Sequence, residues 1–498
     1  MVGSPPQSIS VSLGTGSYDL YFNSASSASC NGSSSPSPCR GGTFNSSAST
    51  SYQEVNASPA FYIVYGDQSG AIGPYGTDSI QFGQTVVNDV QFGIGEQLEI
   101  PGQYTESTMG LGYPEEEAIY TASGTAPLSP YKNLPGVMVR EGMAASRLYS
   151  IALGRRDTDT PGSLIFGGID TARYTGRLAT LDVINVTQPY SSVGDETNTT
   201  AIRTFITTIT DAQYITNNTT VSLWSGGSDG VEAWDSENVA VPVLPETASS
   251  IMYLPSEHYD QHIAPRFPFV ESESCSCDYA NTSDRIQFTF ANRTAVAVDV
   301  RDLFVPLSDL VTGQQLRYDN GTAMCRFTIG NSSAKADSVD QPYILAGPVL
   351  SAMYMVFDMD NNQMSIAQAA TDVADSPNIV EVEAGPDGVA KAVASAEKSR
   401  MPSATATAGL PSSTVTAADQ DPPATSGSVN SGAIAGGVVG GVAALALIGG
   451  AVFFLLRRKR KNQMRPKSEM AQDTDGGFGG IHGIRTNNPR FNGDPTLE

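Results

Sequence analysis

Histidine is almost absent from this 498-residue chain, which has only His258, His262 and His482. Three histidines so placed form no zinc constellation. The i,i+4 spacing of His258 and His262 falls in Glu257-His258-Tyr259-Asp260-Gln261-His262, which lacks the metalloprotease pattern and reads as a surface helical turn. The same scarcity argues against Ser-His-Asp catalysis. Basic residues are few as well. With 28 Lys and Arg against 51 Asp and Glu, the net charge is −23, a field that repels phosphate backbones and rules against nucleic acid as a partner. Five cysteines suit structural staples outside the cytoplasm better than a metal or catalytic cluster. Cys30 and Cys39 can close a Ser/Pro-rich loop. Cys325 can pair with Cys275 or with Cys277, the latter carried as the candidate, and one thiol stays odd. No metal and no cofactor is expected.

Glycine and aromatics are abundant: 49 Gly, 20 Tyr and 18 Phe, with early segments rich in Ser, Thr and Val. That texture predicts strands joined by tight turns, not a helical bundle. Residues 1–175 and 176–372 read as two units of this kind. In the first, residues 61–83 form two strand-like runs around a Gly-rich hairpin, with a third strand after it. In the second, Met353–Asp358 turns at Asn361-Asn362 into a final strand. From 373 to 432 Ser, Thr, Ala and Pro dominate, a composition expected to hold no core and to act as a disordered stalk.

Ala433–Leu456 is a run of 24 uncharged residues, long enough to span a bilayer at about 1.5 Å of rise per residue. Arg457-Arg458-Lys459-Arg460-Lys461 follows it and favours the cytoplasmic side, leaving 457–498 as a disordered tail. A tail that long argues against a GPI signal. The orientation places residues 1–432 outside the cytoplasm, at the plasma membrane or in the secretory pathway. Every Asn-x-Ser/Thr sequon lies on that side: Asn31, Asn45, Asn56, Asn185, Asn198, Asn217, Asn218, Asn281, Asn292, Asn320 and Asn331. Delivery of such an ectodomain implies a leader upstream of the opening Met1-Val2-Gly3.

Near the start the chain reads Val11-Ser12-Leu13-Gly14-Thr15-Gly16-Ser17-Tyr18-Asp19-Leu20-Tyr21. This resembles the first catalytic loop of pepsin-like aspartic proteases, a hydrophobic residue followed by Asp-Thr-Gly-Ser. Further segments resemble the same family in order. Ile63-Val64-Tyr65-Gly66 looks like the flap, with Tyr65 at the flap tyrosine, and Thr108–Pro114 like the segment packed on the first loop. Gly162–Leu178 resembles the crossing between lobes, Pro242–Pro255 the second catalytic loop, and Tyr343–Ala369 the closing segment. The resemblance covers about residues 1–372 and implies an all-β, bilobal pepsin-like acid protease fold, followed here by the stalk and one transmembrane helix. Its layout is similar to the membrane-anchored fungal members. The family pattern also implies a further strand before Gly3.

What the resemblance implies chemically is a pair of carboxylates facing each other across a water. So close, they cannot both ionise cheaply and share a proton. Gly14, however, stands where the first Asp belongs, and glycine transfers no proton. Glu246-Thr247-Ala248 stands for the second Asp-Thr-Gly. Its carboxylate is displaced by about 1.5 Å, and a misplacement of about 1 Å can cost on the order of 10²-fold in rate. Ala248 and Ala346 each add a methyl where the family has glycine. Asp19 is expected at the surface or in support of the loop, and Asp67 as a turn residue. Thr15, Gly16, Ser17, Tyr65, Gly66 and Thr247 look retained, so a cleft that holds an extended peptide is expected to persist. The sequence thus points to a catalytically inactive, membrane-anchored homologue with a peptide-binding cleft or a structural surface role. The alternative is an active or weakly active endopeptidase.

Overall fold

The computed structural model describes residues 1–31, 37–57, 60–65, 67–101, 104–121, 131–156, 161–184, 204–225, 240–267, 274–309, 313–332, 342–371 and 377–400. Strands dominate, and their alternation in sequence sets which face is buried. In Arg285–Phe290, Ile286, Phe288 and Phe290 point inward, and Val296 and Val298 do so in the antiparallel partner Thr294–Asp299.

Two lobes face each other. The first is a six-stranded sheet in the order Val11–Gly14, Ser107–Gly110, Leu20–Asn23, Thr85–Gly95, Tyr75–Phe82 and Gln53–Val55. The second runs Thr294–Asp299, Arg285–Phe290, Thr207–Ile215, Val241–Glu246 and Tyr343–Ala346, with Thr220–Ser225 paired to the third of these. A five-stranded sheet built from Ser163–Phe166, Leu148–Ala152, Met353–Asp358, Gln363–Ala369 and Tyr174–Asp182 joins them. Tyr174–Asp182 runs through the lobe boundary read at 175/176. Beneath the junction Tyr149 stacks on Phe357 at 4.9 Å between centroids, and Phe205 meets Phe357 edge-on at 5.0 Å. One continuous core therefore runs under both catalytic-type loops.

The expected flap hairpin forms from Phe61–Val64 and Gly70–Gly73, with Gln97–Glu99 as its third strand. The Asn361-Asn362 turn forms as well, with Asn362 at φ 53°. Disulfides close Cys30–Cys39 and Cys277–Cys325, and Cys275 is the buried free thiol.

The interval 373–432 differs from its stalk reading at its near end. Ile379–Glu381 pairs antiparallel with Gly168–Asp170, and a helix spans Gly388–Arg400. Val389, Ala392 and Ala396 lie on one face of that helix at i, i+3 and i+7 and are buried. Val389 and Ala392 pack in one cluster with Leu148, Tyr354 and Val356 of the joining sheet. A stripe of small side chains in an Ala/Ser-rich stretch reads as polar filler, yet it permits close approach to a sheet. The remainder of the stalk, the apolar run 433–456 and the tail lie outside the described residues. Among the described residues no helix is long and apolar enough to cross a membrane.

Candidate functional site

The two loops that carry the motifs hang from matching supports. Val11–Gly14 pairs in parallel with Ser107–Gly110, placing Gly14 opposite Gly110. Val241–Glu246 pairs in parallel with Tyr343–Ala346, placing Glu246 opposite Ala346. Gly110 has no room for a side chain: a Cβ there would lie 2.4 Å from the carbonyl carbon of Tyr18 and 2.5 Å from the amide nitrogen of Asp19. Ala346 holds the matching place in the second lobe and is fully buried, so its extra methyl is accommodated.

The threonines lock the loops across the lobe interface. Thr15, fully buried, donates its hydroxyl to the Pro245 carbonyl at 2.5 Å and accepts the Thr247 amide at 3.1 Å. Thr247 donates its hydroxyl to the Leu13 carbonyl. Five polar groups from two lobes are thereby satisfied, which fixes the loops in register.

Between them stands one carboxylate. Glu246 Oε1 accepts the amide of Ala248 at 2.8 Å, in its own loop, and Oε2 accepts the amide of Gly16 at 2.9 Å, in the opposite loop. The longer glutamate arm therefore spans to the other lobe. Gly16 is required beneath it, because a Cβ there would lie 2.5 Å from Oε2 and 2.8 Å from Leu244 Cδ2. Burial pushes the Glu246 carboxyl up to about 7, against the pull of the Ala248, Gly16 and Thr15 amides.

The space over Gly14 is taken by a neighbour. A Cβ at position 14 would lie 2.6 Å from Ser17 Oγ and 2.7 Å from Ser17 Cβ. Ser17 thus occupies the space an aspartate would enter, and it is itself buried. The Tyr65 hydroxyl at the end of the flap strand is buried with no hydrogen-bond partner among the described residues. Burial and the nearby Tyr21, Asp19 and Glu246 hold it well above the usual tyrosine range. Gly66 lies outside the described residues. Asp67 is a turn residue as expected, accepting Ser69 N at 2.9 Å and Ser69 Oγ at 2.6 Å.

The supports, the threonine crossover and the flap are those of a known fold. The family model "Eukaryotic aspartyl protease" matches residues 1–369. The chain belongs to that family. The "Probable aspartic-type endopeptidase OPSB" of Arthroderma benhamiae is 33% identical over 407 residues, covering 80% of this chain and 74% of its own. Its Aspergillus oryzae counterpart is 31% identical, covering 78% and 71%. Barrierpepsin of Saccharomyces cerevisiae is 26% identical, covering 74% and 59%. Among solved structures, an aspartic proteinase from Irpex lacteus superposes with a TM-score of 0.52 at 15% identity, over 76% of this chain and 94% of that one. That likeness concerns the fold alone.

Sequence reasoning missed one group. Asp19, left between surface and supporting roles, is 1% exposed and accepts the Ala118 amide at 2.9 Å and the Tyr131 hydroxyl at 3.2 Å. Glu117, equally buried, lies near it with neither carboxyl oxygen hydrogen-bonded among the described residues. The only signal was an acidic run, Glu115-Glu116-Glu117, directly after the segment packed on the first loop.

Proposed function

We propose that this protein is an aspartic-peptidase homologue without peptidase turnover, which holds extended peptides in its inter-lobe cleft at a membrane surface. One observation carries the reading: a single carboxylate accepts amide hydrogens from both loops, while Ser17 fills the place of the second. Water activation in this family's manner needs one carboxyl to take a proton and another to give one. Among the described residues Glu246 has no carboxyl partner for that exchange. The threonine crossover and the flap hairpin support a cleft that still binds backbone.

Anchoring rests on the apolar run Ala433–Leu456 and the basic cluster after it. Glycosylation is supported by exposure. Asn31, Asn45, Asn56, Asn217, Asn218, Asn281, Asn292, Asn320 and Asn331 all lie at the surface, while Asn185 and Asn198 fall outside the described residues. A second reading, an active endopeptidase, is favoured by the intact threonine crossover and by the names of the fungal relatives.

Digestion of a diverse peptide library from pH 3 to 7 separates them. The variant to compare carries Gly14→Asp, Glu246→Asp and Ala248→Gly, with Ser17 also varied to clear the new side chain. Cleavage by the repaired protein alone is the expected result. Pepstatin-sensitive cleavage by the natural chain overturns the proposal.

A further inference from the structure

The Asp19–Glu117 pair takes no part in the function proposed above, and its surroundings link it to the flap. Asp19 sits two residues before Tyr21, on the chain leaving the first loop. Its Tyr131 donor packs on Tyr75 at 5.9 Å between centroids, Tyr75 packs on Phe61 at 5.5 Å, and Phe61 packs on Tyr21 at 5.5 Å. The contacts form a chain of aromatic side chains that leads from the Asp19 carboxyl, through Tyr131, to the flap. Ala71, Ala118 and Ile119 complete this small core, with Ile63 and Tyr65 of the flap packed against it. Both flap strands, Phe61–Val64 and Gly70–Gly73, thus contribute to the core whose Ala118 and Tyr131 donate to Asp19.

We propose that Asp19 and Glu117 form a proton-holding latch beneath the flap: protonated, they keep its supporting core closed, and their ionisation loosens the strands Phe61–Val64 and Gly70–Gly73 and opens the cleft. The groups facing the pair are Tyr131 ahead of the Leu134–Arg140 helix, Tyr75 on its strand, Tyr65 on the flap and Glu115 in the preceding turn. Tyr21 and, across the cleft, Glu246 act through Tyr65. Among the described residues no cation acts on either carboxyl, so nothing compensates a second negative charge. Burial pushes Asp19 up to about 7, and burial and then the Asp19 charge hold Glu117 well above the usual carboxylate range. The sign follows. The folded form binds these protons more tightly than the unfolded chain, so the stabilisation is complete in acid and is lost as pH rises through about 7.

Hydrogen–deuterium exchange of the full-length protein, corrected for intrinsic rates, tests this from pH 4.5 to 8. Peptides covering Phe61–Gly73 are expected to exchange about tenfold faster at pH 8 than at pH 4.5, a loss of about one pK unit of protection. Arg285–Asp299 of the second lobe serves as the internal reference and is expected to change little. Glu117→Gln leaves Asp19 alone to ionise, with no second charge beside it, and should flatten much of the rise, whereas Glu246→Gln should leave it in place. If Glu117→Gln does not fold, Tyr131→Phe decides. It removes a donor that favours the Asp19 anion, so the rise should move to higher pH. A flat natural profile, a rise unchanged by both Glu117→Gln and Tyr131→Phe, or a rise abolished by Glu246→Gln overturns the latch.

Discussion

The two catalytic-type loops have the same support and opposite fates. In the first lobe Gly14 carries no side chain, and Ser17 occupies the space one would enter. In the second the side chain has grown by one methylene and reaches across to the first loop's Gly16 amide. The threonines between them are retained on both sides. The difference teaches that scaffold and chemistry separate cleanly here. The hydrogen bonds that hold the lobes in register come from Thr15 and Thr247, whereas the carboxylates are additions to that frame. The glutamate's length lets one carboxyl accept an amide from each loop.

Breaking the frame has the largest expected effect. Thr15→Val is close in shape but removes a hydroxyl that both donates to Pro245 and accepts from Thr247, leaving two buried backbone groups without partners. Such groups cost about 1–3 kcal/mol each, so a loss of roughly 2–4 kcal/mol is expected in chemical denaturation. Thr247→Val removes a single bond to Leu13 and should cost roughly half as much. Equal losses from the two variants would mean that the crossover is not the frame described here.

A smaller effect sharpens the comparison at the reactive positions. Gly14→Ala places a methyl against Ser17, whose Cβ would be 2.7 Å away, so the serine or the loop must shift. Overpacking of this kind costs about 1–3 kcal/mol. Adding Ser17→Gly should recover most of it, and the coupling between the two changes is the quantity to measure. Absence of coupling would show that the first loop rearranges freely and that Ser17 does not hold the vacant place.

Much of the fold was legible from order alone, because strand alternation and Gly-rich turns survive without any contact information. That glycine and glutamate stand at 14 and 246, where the resemblance implies aspartates, was equally plain, since single positions in a motif show their residues directly. What became of the space was not. Sequence gives the length of Glu246 but not which amide it reaches, and it lists Ser17 as retained without showing that it packs over Gly14. Asp19 and Glu117 are separated by 98 positions, so their approach depends on how the segment after the first-lobe sheet folds back. The helix Gly388–Arg400 was hidden for another reason: an alanine stripe carries little hydrophobic signal, and its stabilisation arises only against the sheet it covers.

Removing the remaining charge is the gentlest test of the contrast between loops. Glu246→Gln keeps the length and one acceptor oxygen, so only one of the two amides loses its partner, at a cost of about 1 kcal/mol. The pH dependence is more telling than the size. Because the folded carboxyl is pushed up to about 7, its protonated form contributes stability in acid, and that contribution fades as pH rises through this value. Glutamine has no such dependence, so the variant's deficit should be greatest near pH 4 and shrink toward pH 8. Gly14 offers nothing to titrate, and Gly14→Ala should shift stability by the same amount at every pH. Parallel curves for Glu246→Gln and the natural protein would place the Glu246 carboxylate in water, with the amides of Gly16 and Ala248 satisfied elsewhere, and the bridge between loops would be lost.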